Sequence, residues 1–157
     1  MSLLSFYQWI DTTSLSRFLQ ESTYTFPVTE VLHLIGLTVL LGAAVVVCLR
    51  LLGFGLQQPV SQIQRGLWAW TWFGLILVWG TGIVLLIAEP IKLSTNVAFP
   101  YKLTFLFTGL ALHFFAYLVL LKRGRAEAWP GLSKAVAILI LTCWFGAGVA
   151  GRAIGFV

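Results

Sequence analysis

The chain is poor in charge. Of 157 residues only 10% are Asp, Glu, Lys or Arg, five of them acidic, while 59% are hydrophobic and the mean hydropathy is +0.95. A soluble domain carries roughly 25% charged residues, so this composition excludes one and points to an integral membrane protein. Cysteine is nearly absent. Cys48 and Cys143 fall inside apolar runs predicted to cross in opposite directions, which excludes a disulfide scaffold and a CxxC redox pair and leaves two small packed thiols. No internal repeat, low-complexity tract, phosphate-binding loop or nucleophile–base pair is present. The formal charge of +5 does not mark a nucleic-acid partner, because the basic residues flank apolar segments and do not form a patch.

What is present is four apolar runs, residues 28–53, 67–88, 101–121 and 132–151. Crossing the hydrocarbon takes about 20 apolar residues as a helix, and none of the runs alternates as a barrel strand would. The connections, 54–66, 89–100 and 122–131, are short and punctuated by Pro59, Pro90, Pro100 and Pro130. The expected fold is therefore an all-α membrane protein, a single four-transmembrane-helix up-down bundle over residues 1–157. Ahead of it, Leu3, Phe6, Trp9, Ile10, Leu15, Phe18 and Leu19 alternate with polar residues in a segment lacking the basic start and cleavage site of a signal peptide. That segment reads as an interfacial amphipathic helix, or two, in contact with membrane lipid. Arg50, Arg65, Lys122, Arg123, Arg125 and Lys134 share one side, so both termini are expected on the periplasmic side of a bacterial inner membrane. Trp68, Trp70 and Trp72 read as an interfacial aromatic belt, and Ala147, Gly151 and Gly155 form a small-residue ridge that suits internal packing or a homo-oligomer.

Ionisable groups inside a span are costly and are the functional candidates. Glu30 and His33 lie three residues apart on one helix face near the start of the first span. Lys102 opens the third span, Arg152 closes the fourth, and Glu89 and Asn96 lie in the loop at that same end. Lys102, Glu89 and Arg152 also suit plain interfacial anchors whose heads snorkel to water. His113 is deeper, roughly 18 Å into its helix at 1.5 Å per residue, and eleven residues from Lys102, so the two share a stripe with Leu106, Gly109 and Ala116. Small neighbours on that stripe leave room for a flat ligand; a neutral histidine bonded to a backbone carbonyl satisfies the same facts. Two imidazoles projecting into a bundle hold a b-type haem when they reach the same depth. Here a gap in depth must close, or the two histidines serve separate sites, a haem on one and a small metal ion on the other. The Glu30-x-x-His33 pair resembles one half of a carboxylate metal motif, whose second half is missing, and copper would accept imidazole and carboxylate together.

The blocks FPVTEVLHLIGL (26–37), CLRLLG (48–53), NVAFPYK (96–102) and GRAIGF (151–156) resemble, over nearly the whole chain, a bacterial family of four-helix membrane proteins of unassigned function. That family usually reads Asp-Leu-Arg-Leu-Leu-Gly in the second block; Cys48 stands at the aspartate position. More distantly, the first-span histidine and KLTFLFTGLALH (102–113) are similar to the HemJ-type membrane protoporphyrinogen oxidases, and the four-helix outline to copper-resistance protein D-like domains. The resemblance implies a haem b site at His33 with His113 and Lys102 nearby, and does not carry over the oxidase activity. Lys102 and Arg152 would then pair with anionic propionates, and Glu30 would orient the His33 ring through its second nitrogen. The expected function is haem b binding for redox or electron transfer, as in a membrane oxidoreductase, with a metal or proton conduit through Glu30, His33, His113 and Tyr117 as the alternative. A third reading is a structural or assembly subunit.

Overall fold

The computed structural model describes residues 3–55, 58–122 and 125–156. Its elements are helical in order: α1 (Leu3–Asp11), α2 (Ser14–Glu21), α3 (Thr25–Leu52), α4 (Val60–Ala88), α5 (Pro90–Thr95), α6 (Ala98–Phe115), a π-helical turn (Ala116–Leu121) and α7 (Pro130–Ala153). Four of these, α3, α4, α6 with its π turn, and α7, are long and apolar enough to cross a membrane. The chain is thus an all-α, multi-pass membrane protein. Both ends of the described chain lie at one end of the bundle, here the terminal end; the turns after α3 and before α7 form the far end.

Hydropathy located the spans but not the helix ends. Helix α4 begins at Val60, seven residues before the apolar run, because Pro59 fixes the chain at its N-cap and Ser61, Gln62, Gln64 and Arg65 are compatible with a helix that lipid does not surround. Pro90, lacking an N–H, starts the short α5 where an irregular loop was expected. Arg50, Arg65, Lys122, Arg125 and Lys134 lie at the far end; Arg123 of the same group lies outside the described residues.

Inside the bundle, helix contacts are of two kinds. Helices α3 and α4 touch backbone to backbone, since a Cβ on Gly74 would stand 2.8 Å from the Leu40 nitrogen and 3.0 Å from the Gly36 carbonyl oxygen. Such close approach is what small residues allow when lipid supplies no hydrophobic drive between helices. Helices α6 and α7 form a second tight pair, and α3 also packs on α7 around the buried Leu40, Ile140 and Trp144. Between α4 and α6 the contact is instead made by rings: Trp68 stacks on Tyr117 at 4.3 Å, and Trp72–Phe114 and Trp79–Phe107 lie 6.0 and 5.9 Å apart. Helices α3 and α6, which carry the two histidines, are therefore diagonal. Outward faces carry Ile76, Phe145 and Val149, as lipid-facing surfaces should.

Two open sequence expectations are narrowed here. Ala147 is buried and Gly151 faces Lys102, so these two members of the small-residue ridge pack inside the bundle, while Gly155 is exposed. The amphipathic segment forms two helices: α2 packs on α4, with Ser16 fully buried and donating to the Ile87 carbonyl at 2.8 Å, while α1 packs on α5. Phe6, Trp9, Leu15 and Phe18 remain exposed, in keeping with a segment at the interface.

Candidate functional site

His33 lies two turns into α3 and is buried, 7% exposed. Its Nδ1 is 2.8 Å from Thr81 Oγ1 on α4. The single Thr81 hydroxyl proton goes to the Leu77 carbonyl one turn back, the usual habit of threonine inside a helix. Thr81 oxygen is then an acceptor, so His33 must carry its proton on Nδ1, a tautomer assigned from the network. Nε2 is left with a free lone pair, and among the described residues it has no hydrogen-bond partner. Gly82 lies against the ring: a Cβ there would make ordinary contact with His33 Cε1 at 3.5 Å.

Lys102, one turn into α6, lies within electrostatic reach of the His33 ring, with its ammonium against Gly151 of α7. Among the described residues it has no acidic partner and no hydrogen bond; the ion pair at this end is Lys92 with Glu89, at 3.0 Å. Arg152 follows on the next residue of α7, exposed, with its guanidinium 5.0 Å from the Phe156 ring. Asn96 bridges the same end, donating to the Ile154 carbonyl and accepting from the Ala98 amide. The terminal end therefore holds an imidazole lone pair and, within electrostatic reach of it, a lysine without an acidic partner among the described residues. Such a pair suits a ligand that offers an electron-pair acceptor to one and an anionic oxygen to the other.

Glu30 is not part of this arrangement. It is exposed, while Thr29 and His33 turn inward, and the position at Nδ1 belongs to Thr81. Three residues of separation on a helix is about 300° of turn, so the pair is close enough to interact yet need not face the same object. The copper reading loses its carboxylate for the same reason, and among the described residues no three His, Cys, Asp or Glu side chains converge to hold a metal ion.

His113 is elsewhere. It lines two cavities whose α3 residues are Leu40 in one and Ala44, Val47, Cys48 and Leu51 in the other. Leu40 and Ala44 lie seven and eleven residues beyond His33, about 10–16 Å further along the axis. The depth gap does not close, and buried Val78 and Ala147 form an apolar layer between the two levels. Nor does the stripe on α6 leave a slot. A Cβ on Gly109 would meet Cys143 Cβ at 3.1 Å, and Ala116 is buried in the core, so these small residues admit α7 and not a flat ligand. The residues do not fit a haem shared by both histidines; of the two, His33 is the one whose buried ring nitrogen lacks a partner among the described residues.

Thr81, Gly82 and Gln64 escaped the sequence reading, which weighed ionisable groups only. The run Gly80-Thr81-Gly82 in mid-span was the available signal for the first two. Gln64 was assigned to a loop because its neighbours are polar. No curated protein and no solved structure matches the chain. A family model matches residues 6–157, nearly the full length, and on that ground the chain belongs to the family of unknown function DUF6644.

Proposed function

We propose that this protein binds haem b through His33 and serves redox or electron transfer in the bacterial inner membrane. The observation that carries the reading is the buried His33 Nε2, without a hydrogen-bond partner among the described residues while Nδ1 is committed to Thr81. An imidazole held by its other nitrogen has its tautomer and ring plane set and its basicity raised, which is how protein-bound axial histidines are prepared. Bound there, a haem would supply one-electron chemistry at its iron. The chain's own contributions are three. Thr81 orients the ring, Lys102 offers its ammonium to a propionate with Arg152 at the rim, and the apolar layer below keeps water from the site. The basic residues of the far end favour the cytoplasm, which puts the termini and this site on the periplasmic side.

A conduit running the length of the bundle through Glu30, His33 and His113 draws less support, because Glu30 faces outward and apolar side chains separate the histidines. Optical spectra of the purified protein, His33→Ala and His113→Ala, after expression with ample haem, test the proposal. A Soret band in wild type and His113→Ala, lost in His33→Ala, is the expected result. No band in wild type, or its survival in His33→Ala, overturns it.

A further inference from the structure

We propose that the far end of the bundle is a collar for anionic phospholipid, its cations drawing headgroups of net negative charge from the surrounding bilayer. The collar is independent of whatever His33 holds at the other end.

The charge of the chain is unevenly placed. At the terminal end Arg17, Lys92, Lys102 and Arg152 are matched in number by Asp11, Glu21, Glu30 and Glu89, so that end is neutral. The far end carries Arg50, Arg65, Lys122, Arg125 and Lys134 against one carboxylate, Glu127. With Arg123, which lies outside the described residues, the whole formal charge of +5 belongs to this part of the sequence. Among the described residues none of the five cations is ion-paired, and the salt bridge lies at the terminal end, between Lys92 and Glu89. Arg65, Lys122 and Lys134 are exposed. Arg50 donates to the Gln58 carbonyl at 2.8 Å, and Arg125 lies 5.0 Å over the Trp129 ring, contacts that leave both charges in place.

Their arrangement selects the partner. Arg50 stands near the end of α3, Arg65 near the start of α4, Lys122 just after the π turn and Lys134 near the start of α7. Each span thus delivers a cation to the same rim, which suits a ligand that surrounds the bundle. An acidic protein or a nucleic acid docks on one face and is better met by cations gathered there. The depth also fits lipid. Exposed Trp70 and Trp72 lie five and seven residues beyond Arg65, about 8–10 Å towards the bundle middle, and Trp129, also exposed, directly precedes α7. Tryptophans at such a level mark where hydrocarbon gives way to headgroups, and the long stems of Lys and Arg reach from there to the phosphates. A zwitterionic headgroup brings its own cation, which these residues repel. A headgroup with phosphate and no cation meets only attraction, and each unneutralised Lys or Arg adds to it.

Spin-labelled lipids measure the preference directly. Full-length protein is reconstituted in phosphatidylcholine bilayers with trace spin-labelled phosphatidylglycerol or phosphatidylcholine, and electron paramagnetic resonance reads the fraction of label held at the protein surface. Phosphatidylglycerol is expected to be favoured on the order of fivefold at low salt, which is what one basic residue near an anionic surface contributes. At 1 M salt, where charges are screened within about 3 Å, most of that preference should vanish. Arg65→Gln with Lys134→Gln should cut it roughly twofold or more. Arg17→Gln with Lys92→Gln removes the same charge from the other end and should leave it intact. Equal retention of the two lipids by wild type overturns the collar, as does a preference that survives the far-end pair or falls equally with both pairs. Inorganic phosphate displacing the labelled lipid better than chloride at equal ionic strength would make the ligand a free anion and overturn the lipid assignment.

Discussion

His33 donates from Nδ1 to Thr81 across 2.8 Å, and because the Thr81 proton is already given to Leu77, the bond has only one direction. The ring is thereby presented with Nε2 bare, and a hydroxyl from α4 decides what a histidine on α3 can do.

Removing that hydroxyl should loosen the ring without unfolding the bundle. Thr81→Val keeps the shape and deletes the acceptor; haem affinity is expected to fall about ten- to a hundredfold, as for other partners of ligating histidines. Thr81→Ser should retain most of it. Titration of haem into haem-depleted protein, followed at the Soret band, measures both.

Lys102 and Glu30 should behave in opposite ways. Lys102→Met removes an ammonium that has no acidic partner among the described residues and is expected to weaken haem retention, with Lys102→Arg restoring part of it. Glu30→Gln changes an exposed side chain and should leave the spectrum and the affinity unchanged. A large loss in Glu30→Gln would return the carboxylate to the site.

The backbone contact between α3 and α4 predicts a sharp contrast between two glycines. Gly74→Ala drives a Cβ to 2.8 Å from the Leu40 nitrogen and should cost about 1–3 kcal/mol, as overpacking does. Gly42→Ala meets nothing within 4 Å in the same helix pair and should be neutral or stabilising by about 0.5–1 kcal/mol. Thermal unfolding in detergent, followed by far-ultraviolet circular dichroism, separates them.

Ser16→Ala breaks the bond between α2 and the end of α4, at a cost of about 1 kcal/mol. The loss should be local. Hydrogen exchange is expected to quicken in α1 and α2 while amides in the middle of α3 and α4 keep their protection.

The spans were legible in the sequence because lipid demands an uninterrupted apolar run, and that demand leaves a mark at each position. His33 and Lys102 were legible for the reverse reason, as ionisable groups where the solvent penalises them. Their partners were not. Thr81 is unremarkable inside a span, since threonine can satisfy itself on its own helix; only the meeting of α3 with α4 makes it an acceptor for His33. Glu30 misled through spacing, which reports proximity along a helix but not which way the helix is rotated in the bundle. Gly109 misled similarly: a missing side chain reads as room, and whether ligand or helix fills that room depends on a neighbour the local sequence does not name.

The unequal helix contacts also divide the molecule mechanically. Where α3 and α4 touch at Gly74, the nearest atoms are the Leu40 nitrogen and the Gly36 carbonyl oxygen, backbone atoms that cannot yield by changing a rotamer. Where α4 meets α6, the contact is carried by Trp68, Trp72 and Trp79 against Tyr117, Phe114 and Phe107, and rings can swing about χ1 and χ2 without disturbing a helix. The described contacts thus differ in kind: α3 and α4 are fixed backbone to backbone, while α4 and α6 are joined by rings, so substitutions along the second seam can be absorbed by rotamers and those along the first cannot.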